Sequence, residues 1–247
     1  MVKISIALRN EEFDRKILSK EEQREFLSCS NGTFYHEAFV VLINTGLRIG
    51  ELCALTMDDI DLEKNTISVN KNLLYQKLDG DEKKTFHLGP TKTKSSVRKV
   101  PMNTQCKNAI IKQMKRKEVV AARGTKRVDE QFRNFLFVTK HNTPLCNQNM
   151  LDAIYRIIDE INDSKDDLEQ MERFSSHTFR HTFATNCLED DIPLKVVQKY
   201  LGHATMKMTA DLYVHVSEEF SESQIEKLVG VDMEYDEVEW GMNLMEA

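Results

Sequence analysis

The chain has 247 residues, of which 40% are hydrophobic and 30% charged, with nine glycines and four prolines. That balance excludes wholesale disorder, a collagenous repeat and a low-complexity chain, and the length allows one large domain or two small ones. A formal net charge of −6 argues against a nucleic-acid partner only if the charge is evenly spread.

The charge is not evenly spread. Residues 71–127 hold sixteen Lys/Arg against four Asp/Glu, a local net of +12. Residues 217–247 hold ten Asp/Glu against one Lys, a local net of −9, and without them the chain is +3. Such asymmetry points to a basic binding surface with an acidic appendage. The longest purely apolar run is Ala38 to Ile43, far below the ~20 residues of a membrane span. The N-terminus turns charged at once and has no apolar core of a signal peptide. The five cysteines are widely spaced and form no C-x-x-C pair, which suggests neither a zinc knuckle nor a disulfide framework. A reducing cytoplasm is the expected location, with no membrane contact.

In chain order, Ser19-Lys-Glu-Glu22 has capping-box spacing and predicts a helix through Phe26. A second helix is expected from Tyr35 to Asn44, and a short one after Gly46-Leu-Arg-Ile-Gly that ends near Leu55. Residues 66–69, 73–75 and 97–102 are strand-prone, with turn signals at Asp79-Gly80 and Gly89-Pro90. Residues 62–102 therefore read as a small antiparallel sheet with Lys-rich turns. Helices follow at 104–121, 147–162, 177–189, 193–201, 206–214 and 218–228, with a short strand or buried run at Phe135 to Val138. The expected fold is α+β, mostly helical, with the small antiparallel sheet on one side.

Four constellations carry chemistry. Arg48 follows a glycine where a helix begins, beside free backbone N–H groups, an arrangement that suits an anion. Its plainer reading is a surface arginine paired with Glu51. His177 and Arg180 are one helical turn apart and share a face, while Phe179 and Phe183 lie on a neighbouring face and anchor the helix. An imidazole beside a guanidinium suits a phosphate oxygen better than a metal. His181 lies four residues from His177, but H-E-x-x-H is absent, so His181 reads as a packed histidine and no metal is expected. Gly202 reads as a helix C-cap that puts His203 at a helix junction, followed by Thr209 and Tyr213. A tyrosine hydroxyl, with an ordinary pKa of ~10, attacks only when cations or a base assist it. Finally, Thr91-Lys-Thr-Lys94, with Arg98 and Lys99, offers either phosphate-backbone contacts or a lysine that protonates a departing oxygen.

Together these residues resemble the tyrosine recombinase (phage integrase) family, closest in wording to integrases of conjugative transposons and phages of Gram-positive bacteria. The matching strings are TGLRIGELCALTMDDID at 45–61, KTKSSVRKVPM at 92–102, HTFRHTFAT at 177–185 and LGHATMKMTADLYVHV at 201–216. Each alone is moderately specific, and in this order and spacing they are very specific. The resemblance implies a catalytic domain over 18–216, a linker from a core-binding domain over 1–17, and an acidic tail over 217–247 with a short amphipathic helix. It implies that Tyr213 attacks a DNA phosphodiester to form a 3′-phosphotyrosyl link, with Arg48 and Arg180 on the non-bridging oxygens. Lys92 would be the general acid, His177 would assist proton transfer, and His203 would hydrogen-bond the phosphate. Lys94, Arg98 and Lys99 would contact the DNA backbone. Lys94 also competes with Lys92 as general acid, because residues two apart on a strand share a face. The implied partners are double-stranded DNA and other protomers, four in a synapse and one when free, with no cofactor. Two rivals are a type IB topoisomerase-like enzyme and a DNA-binding regulator that kept the fold and lost the chemistry.

Overall fold

The computed structural model describes residues 16–91, 94–123 and 129–213, apart from the side chains of Lys94, Asp211, Leu212 and Tyr213. These residues belong to one compact unit. Lys92, most of the 1–17 linker and the 217–247 tail with its expected helix at 218–228 lie outside them.

Helix α1 spans Lys20–Ser30 and starts with the expected capping box: Glu22 N–H donates to Ser19 Oγ (3.1 Å), and Ser19 N–H donates to Glu22 Oε2 (2.9 Å). It runs a turn beyond Phe26. Helix α2 spans His36–Thr45 and stops at Gly46, whose φ of +61° is the left-handed conformation of a helix cap. Helix α3 spans Ile49–Ala54, with Arg48 as its N-cap residue.

The 62–102 region is two sheets rather than one. Strands β1 (Ile60–Asp61), β2 (Thr66–Val69) and β5 (Arg98–Pro101) form an antiparallel sheet in the order β1-β2-β5. Strands β3 (Lys71–Gln76) and β4 (Thr85–Pro90) form a separate hairpin. Asp79-Gly80 lies in its connection, where Gly80 has φ +95°. Gly89-Pro90, read from sequence as a turn, instead closes β4, and Pro90 pairs with Lys71. A proline without an N–H is tolerated at such a strand end. Ile67, Val69 and Val100 point inward, and alternation along β5 buries Arg98 with Val100 while Lys99 faces out.

Helix α4 (Thr104–Ala122) is followed by the buried run 135–138, which forms no regular strand but is tied in by the isolated bridges Thr56–Phe135 and Val138–Pro144 and by Leu136, whose N–H donates to Leu55 O (2.8 Å) and whose carbonyl accepts from Gln113 Nε2 (2.9 Å). Then come α5 (Asn147–Asn162), α6 (Ser176–Glu189), α7 (Leu194–Leu201) and α8 (Met206–Tyr213), close to the predicted bounds. Phe26 of α1, Phe39 of α2, Phe179 of α6 and Phe174, just before α6, form an aromatic cluster with ring centroids 5.1–5.8 Å apart. This cluster holds α6 against the first helices. A smaller apolar group, with Phe183, Val197 and Leu201, joins α6 to α7.

Candidate active site

Three backbone features position Arg48, Arg180 and His203. The first is the α2–α3 junction. A Cβ at Gly46 would collide with the Phe183 ring and lie 2.9 Å from Leu201 Cδ2. Glycine therefore lets α2, α6 and α7 meet, and Arg48 follows two residues later. The second is α6, fixed by Phe179, which turns Arg180 inward. The third is the α7 C-terminus, where Gly202 at φ +66° turns the chain into His203.

Arg180 is 5% exposed. Its Nη1 donates to Gly46 O (2.7 Å) and its Nη2 to Leu201 O (2.5 Å), so one guanidinium ties the ends of α2 and α7 to α6. Burial and then the like charge of Arg48 pull its pKa down to about 9, leaving it cationic at neutral pH. Arg48, at 33% side-chain exposure, donates from Nη1 to Glu51 Oε1 (3.0 Å). The pairing with Glu51 and the location beside the other cations are thus both found. The Glu51 carboxyl is pushed up by burial, but hydrogen bonds and charge from Arg98, the Arg48 backbone and the Arg180 charge hold it below the usual range.

His203 is buried, and its Nδ1 lies 3.0 Å from Thr209 Oγ1 of α8. Burial first, then Arg180, Arg48, Arg98 and His181, lower its pKa to about 3. The imidazole is therefore neutral at physiological pH. In the tautomer where Thr209 Oγ1 donates to Nδ1, the proton sits on Nε2, which is then a hydrogen-bond donor; in the other, Nδ1 donates to Thr209. His177 is exposed at the start of α6, one turn before Arg180, and its backbone N–H donates to Ser175 Oγ (3.3 Å). His181 is half-buried and acts on His203 through its charge.

A cavity of about 250 Å³ opens here, lined by Arg48, Glu51, Asn72, Thr91, Gly202 and Met208 among others. Thr91 brings the start of the lysine segment to it, and Met208 brings α8. The α8 backbone continues to Tyr213, whose side chain, like those of Lys92 and Lys94, is outside the described residues. Lys99 is on the outer face of β5. Arg98 is not: its side chain is 3% exposed and paired with Glu51. A larger cavity of about 660 Å³, at Tyr35, His141 and Arg156, shares no lining residue with this one. Among the described residues no three His, Cys, Asp or Glu side chains gather closely enough to hold a metal ion, and no helix is long and apolar enough to cross a membrane.

Sequence reasoning treated Glu51 only as a surface partner and Arg98 only as a surface cation. The available signal was strand alternation: if Val100 is core, Arg98 is inward too, and a buried guanidinium needs a carboxylate.

Residues 16–219 match the model of the phage integrase family. The chain is 26% identical over 231 residues to the transposase of transposon Tn916 from Enterococcus faecalis, a match covering 91% of this chain and 54% of that protein. It is 32% identical over 215 residues to the integrase of Staphylococcus phage L54a, covering 83% and 57%. The structure superposes on the Tn1549 transposon integrase, solved in complex with transposon right end DNA, with a TM-score of 0.71 and 28% identity over 87% of this chain and 66% of that one. XerA recombinase has the same fold, with a TM-score of 0.62 at 22% identity. The chain spans about half the length of these two curated relatives.

Proposed function

The chain belongs to the phage integrase family and has the fold of a tyrosine recombinase catalytic domain, and on that premise we propose that it cleaves and rejoins DNA to integrate or excise a mobile element. Supporting this most directly is one observation: Arg180 is hydrogen-bonded to Gly46 O, two residues before Arg48, and to Leu201 O, two residues before His203, and Arg48 and Gly202 line one cavity.

In this reading the scissile phosphate lies in that cavity. Arg48 and Arg180 neutralise its non-bridging oxygens and stabilise the charge of the pentacoordinate transition state. Both are already positioned, Arg180 by two carbonyls and Arg48 by Glu51, so little reorganisation is needed during reaction. Neutral His203 adds a hydrogen bond without adding charge. Tyr213 Oη attacks phosphorus, the bond from phosphorus to the 5′-oxygen breaks, and a 3′-phosphotyrosine forms. The tyrosine proton passes to His177, and Lys92, or Lys94 on the same segment, protonates the departing 5′-oxygen. A 5′-hydroxyl from a partner strand reverses these steps and reseals the backbone. No metal or cofactor enters the scheme. The substrate is double-stranded DNA, the working assembly is four protomers on paired sites, and the compartment is the bacterial cytoplasm.

The test is covalent trapping. A pool of nicked duplexes with a randomised cleavage region is incubated with the chain, and protein–DNA adducts are separated under denaturing conditions. The expected result is an adduct that Tyr213→Phe abolishes while DNA binding persists. Arg180→Ala should slow adduct formation by ~10² or more, the usual cost of losing one preorganised donor. Bound DNA with no adduct would overturn the proposal and favour a silent DNA-binding protein of this fold.

A further inference from the structure

We propose that Arg98 is a positioning residue for the reaction: it fixes the Glu51 carboxylate, which in turn fixes Arg48, and it does so without touching DNA. This rests on the recombinase reading above, in which Arg48 contacts the phosphate.

Arg98 spends its donors inside the protein. Its Nη1 and Nη2 form a two-pronged bond to Glu51 Oε1 (3.0 Å) and Oε2 (2.9 Å). Its Nη1 also donates to Ser96 O (3.0 Å), and its Nε donates to Tyr200 O (2.5 Å). The same two carboxylate oxygens hold Arg48. Oε1 accepts from Arg48 Nη1 (3.0 Å), and Oε2 accepts from the Arg48 backbone N–H (2.9 Å). Each oxygen of Glu51 thus serves both arginines, and turning the carboxylate plane would move the Arg48 guanidinium. The planar fork of Arg98 is what sets that plane.

Arg98 is itself anchored. Tyr200 O and Leu201 O are consecutive carbonyls at the C-terminus of α7, where backbone acceptors lack helical partners. Arg98 takes the first and Arg180 the second. The next residue, Gly202, leaves space for the guanidinium: a Cβ there would lie 3.0 Å from Arg98 Cδ and 3.1 Å from its Nη1. The strand β5 therefore carries the position of α7 across to Arg48. With its side chain 3% exposed beside a Glu51 that is 2% exposed, Arg98 has no face toward a ligand in the cleft.

The experiment uses the 247-residue chain and a nicked duplex recovered from the trapped pool. If the wild-type chain gives no Tyr213-dependent adduct, the recombinase reading fails by itself. Given an adduct, Arg98→Met and Arg98→Lys are measured alone and in an Arg48→Ala background, for affinity to intact duplex and for single-turnover cleavage. The expected result for Arg98→Met is affinity within about twofold of wild type and cleavage slowed by ~10–10², the scale of a small misplacement in an active site. Arg98→Lys should recover part of the rate, since it keeps the charge but loses the fork. In the Arg48→Ala background Arg98→Met should cost less than about twofold more, because its effect passes through Arg48. Three outcomes overturn the proposal: unchanged cleavage, a loss of affinity that matches the loss of rate, or costs that multiply in the double variant. Should Arg98→Met fail to fold in a thermal melt, Arg98→Lys is judged by the same criteria.

Discussion

Arg180 and His203 are both buried beside like charges, and they respond differently. A guanidinium is hard to deprotonate, so Arg180 stays cationic and fills its donors with carbonyl oxygens. An imidazole gives up its proton easily, so His203 stays neutral. This has a consequence for stability. The folded pKa of about 3 lies below the ordinary 6.5, so at intermediate pH the unfolded chain binds the proton and the folded one does not. The contribution is fully present above pH ~6.5 and is lost as pH falls toward 3. His36, also lowered by burial, adds to the same loss, and Glu51 adds its own at the acid end. Thermal melts between pH 7 and 5 should show His203→Asn with a shallower decline in Tm than wild type. Identical slopes would mean that His203 does not titrate this way.

The elements show how short devices place these residues. Ser19 with Glu22 starts α1, Gly46 ends α2 and Gly202 ends α7. These signals are local, involving hydrogen bonds or torsions within a few residues, and for that reason the Ser19 capping box and the Gly202 cap were legible in the sequence. Gly46 carries two demands at once, a left-handed φ and a gap into which Phe183 and Leu201 pack. Gly46→Ala should therefore destabilise the protein by ~2–5 kcal/mol, combining ~1–2 for the backbone with ~1–3 for overpacking. Chemical denaturation would check this, and a change below about 0.5 kcal/mol, typical of an unconstrained surface site, would mean the junction readily gives way. The β3–β4 hairpin was less legible. Gly89-Pro90 has turn composition but closes a strand, because pairing with β3 outweighs local preference. Arg98 and Lys99, adjacent and both basic, read as one surface patch. The pleat separates them, one inward and one outward.

For the whole molecule the relevant quantity is where charge lies rather than its sum. The +12 stretch at 71–127 and the −9 tail at 217–247 have opposite effects on a polyanion. DNA affinity should fall steeply with salt, as counterion release requires. Removing residues 217–247 should tighten DNA binding at low ionic strength, and the gain should shrink as salt rises above ~0.1 M, where charges more than about 10 Å apart are screened. Filter binding or fluorescence anisotropy across a salt series would measure both. Equal affinity of the full and shortened chains at low salt would show that the tail does not act on DNA binding.

By itself the sequence determined the family resemblance, the helical framework and the identity of the candidate residues, because motifs, caps and periodicity are recorded in the order of residues. Only the tertiary structure decided which of these cations work as a unit. Glu51 and Arg98 are forty-seven residues apart, and nothing local announces that their side chains pair. That pairing depends on β5 being brought beside α3 and α7, with Arg98 on the inner side of the strand. Burial then makes the carboxylate necessary, since an inward guanidinium without one would be a buried charge without a counterion.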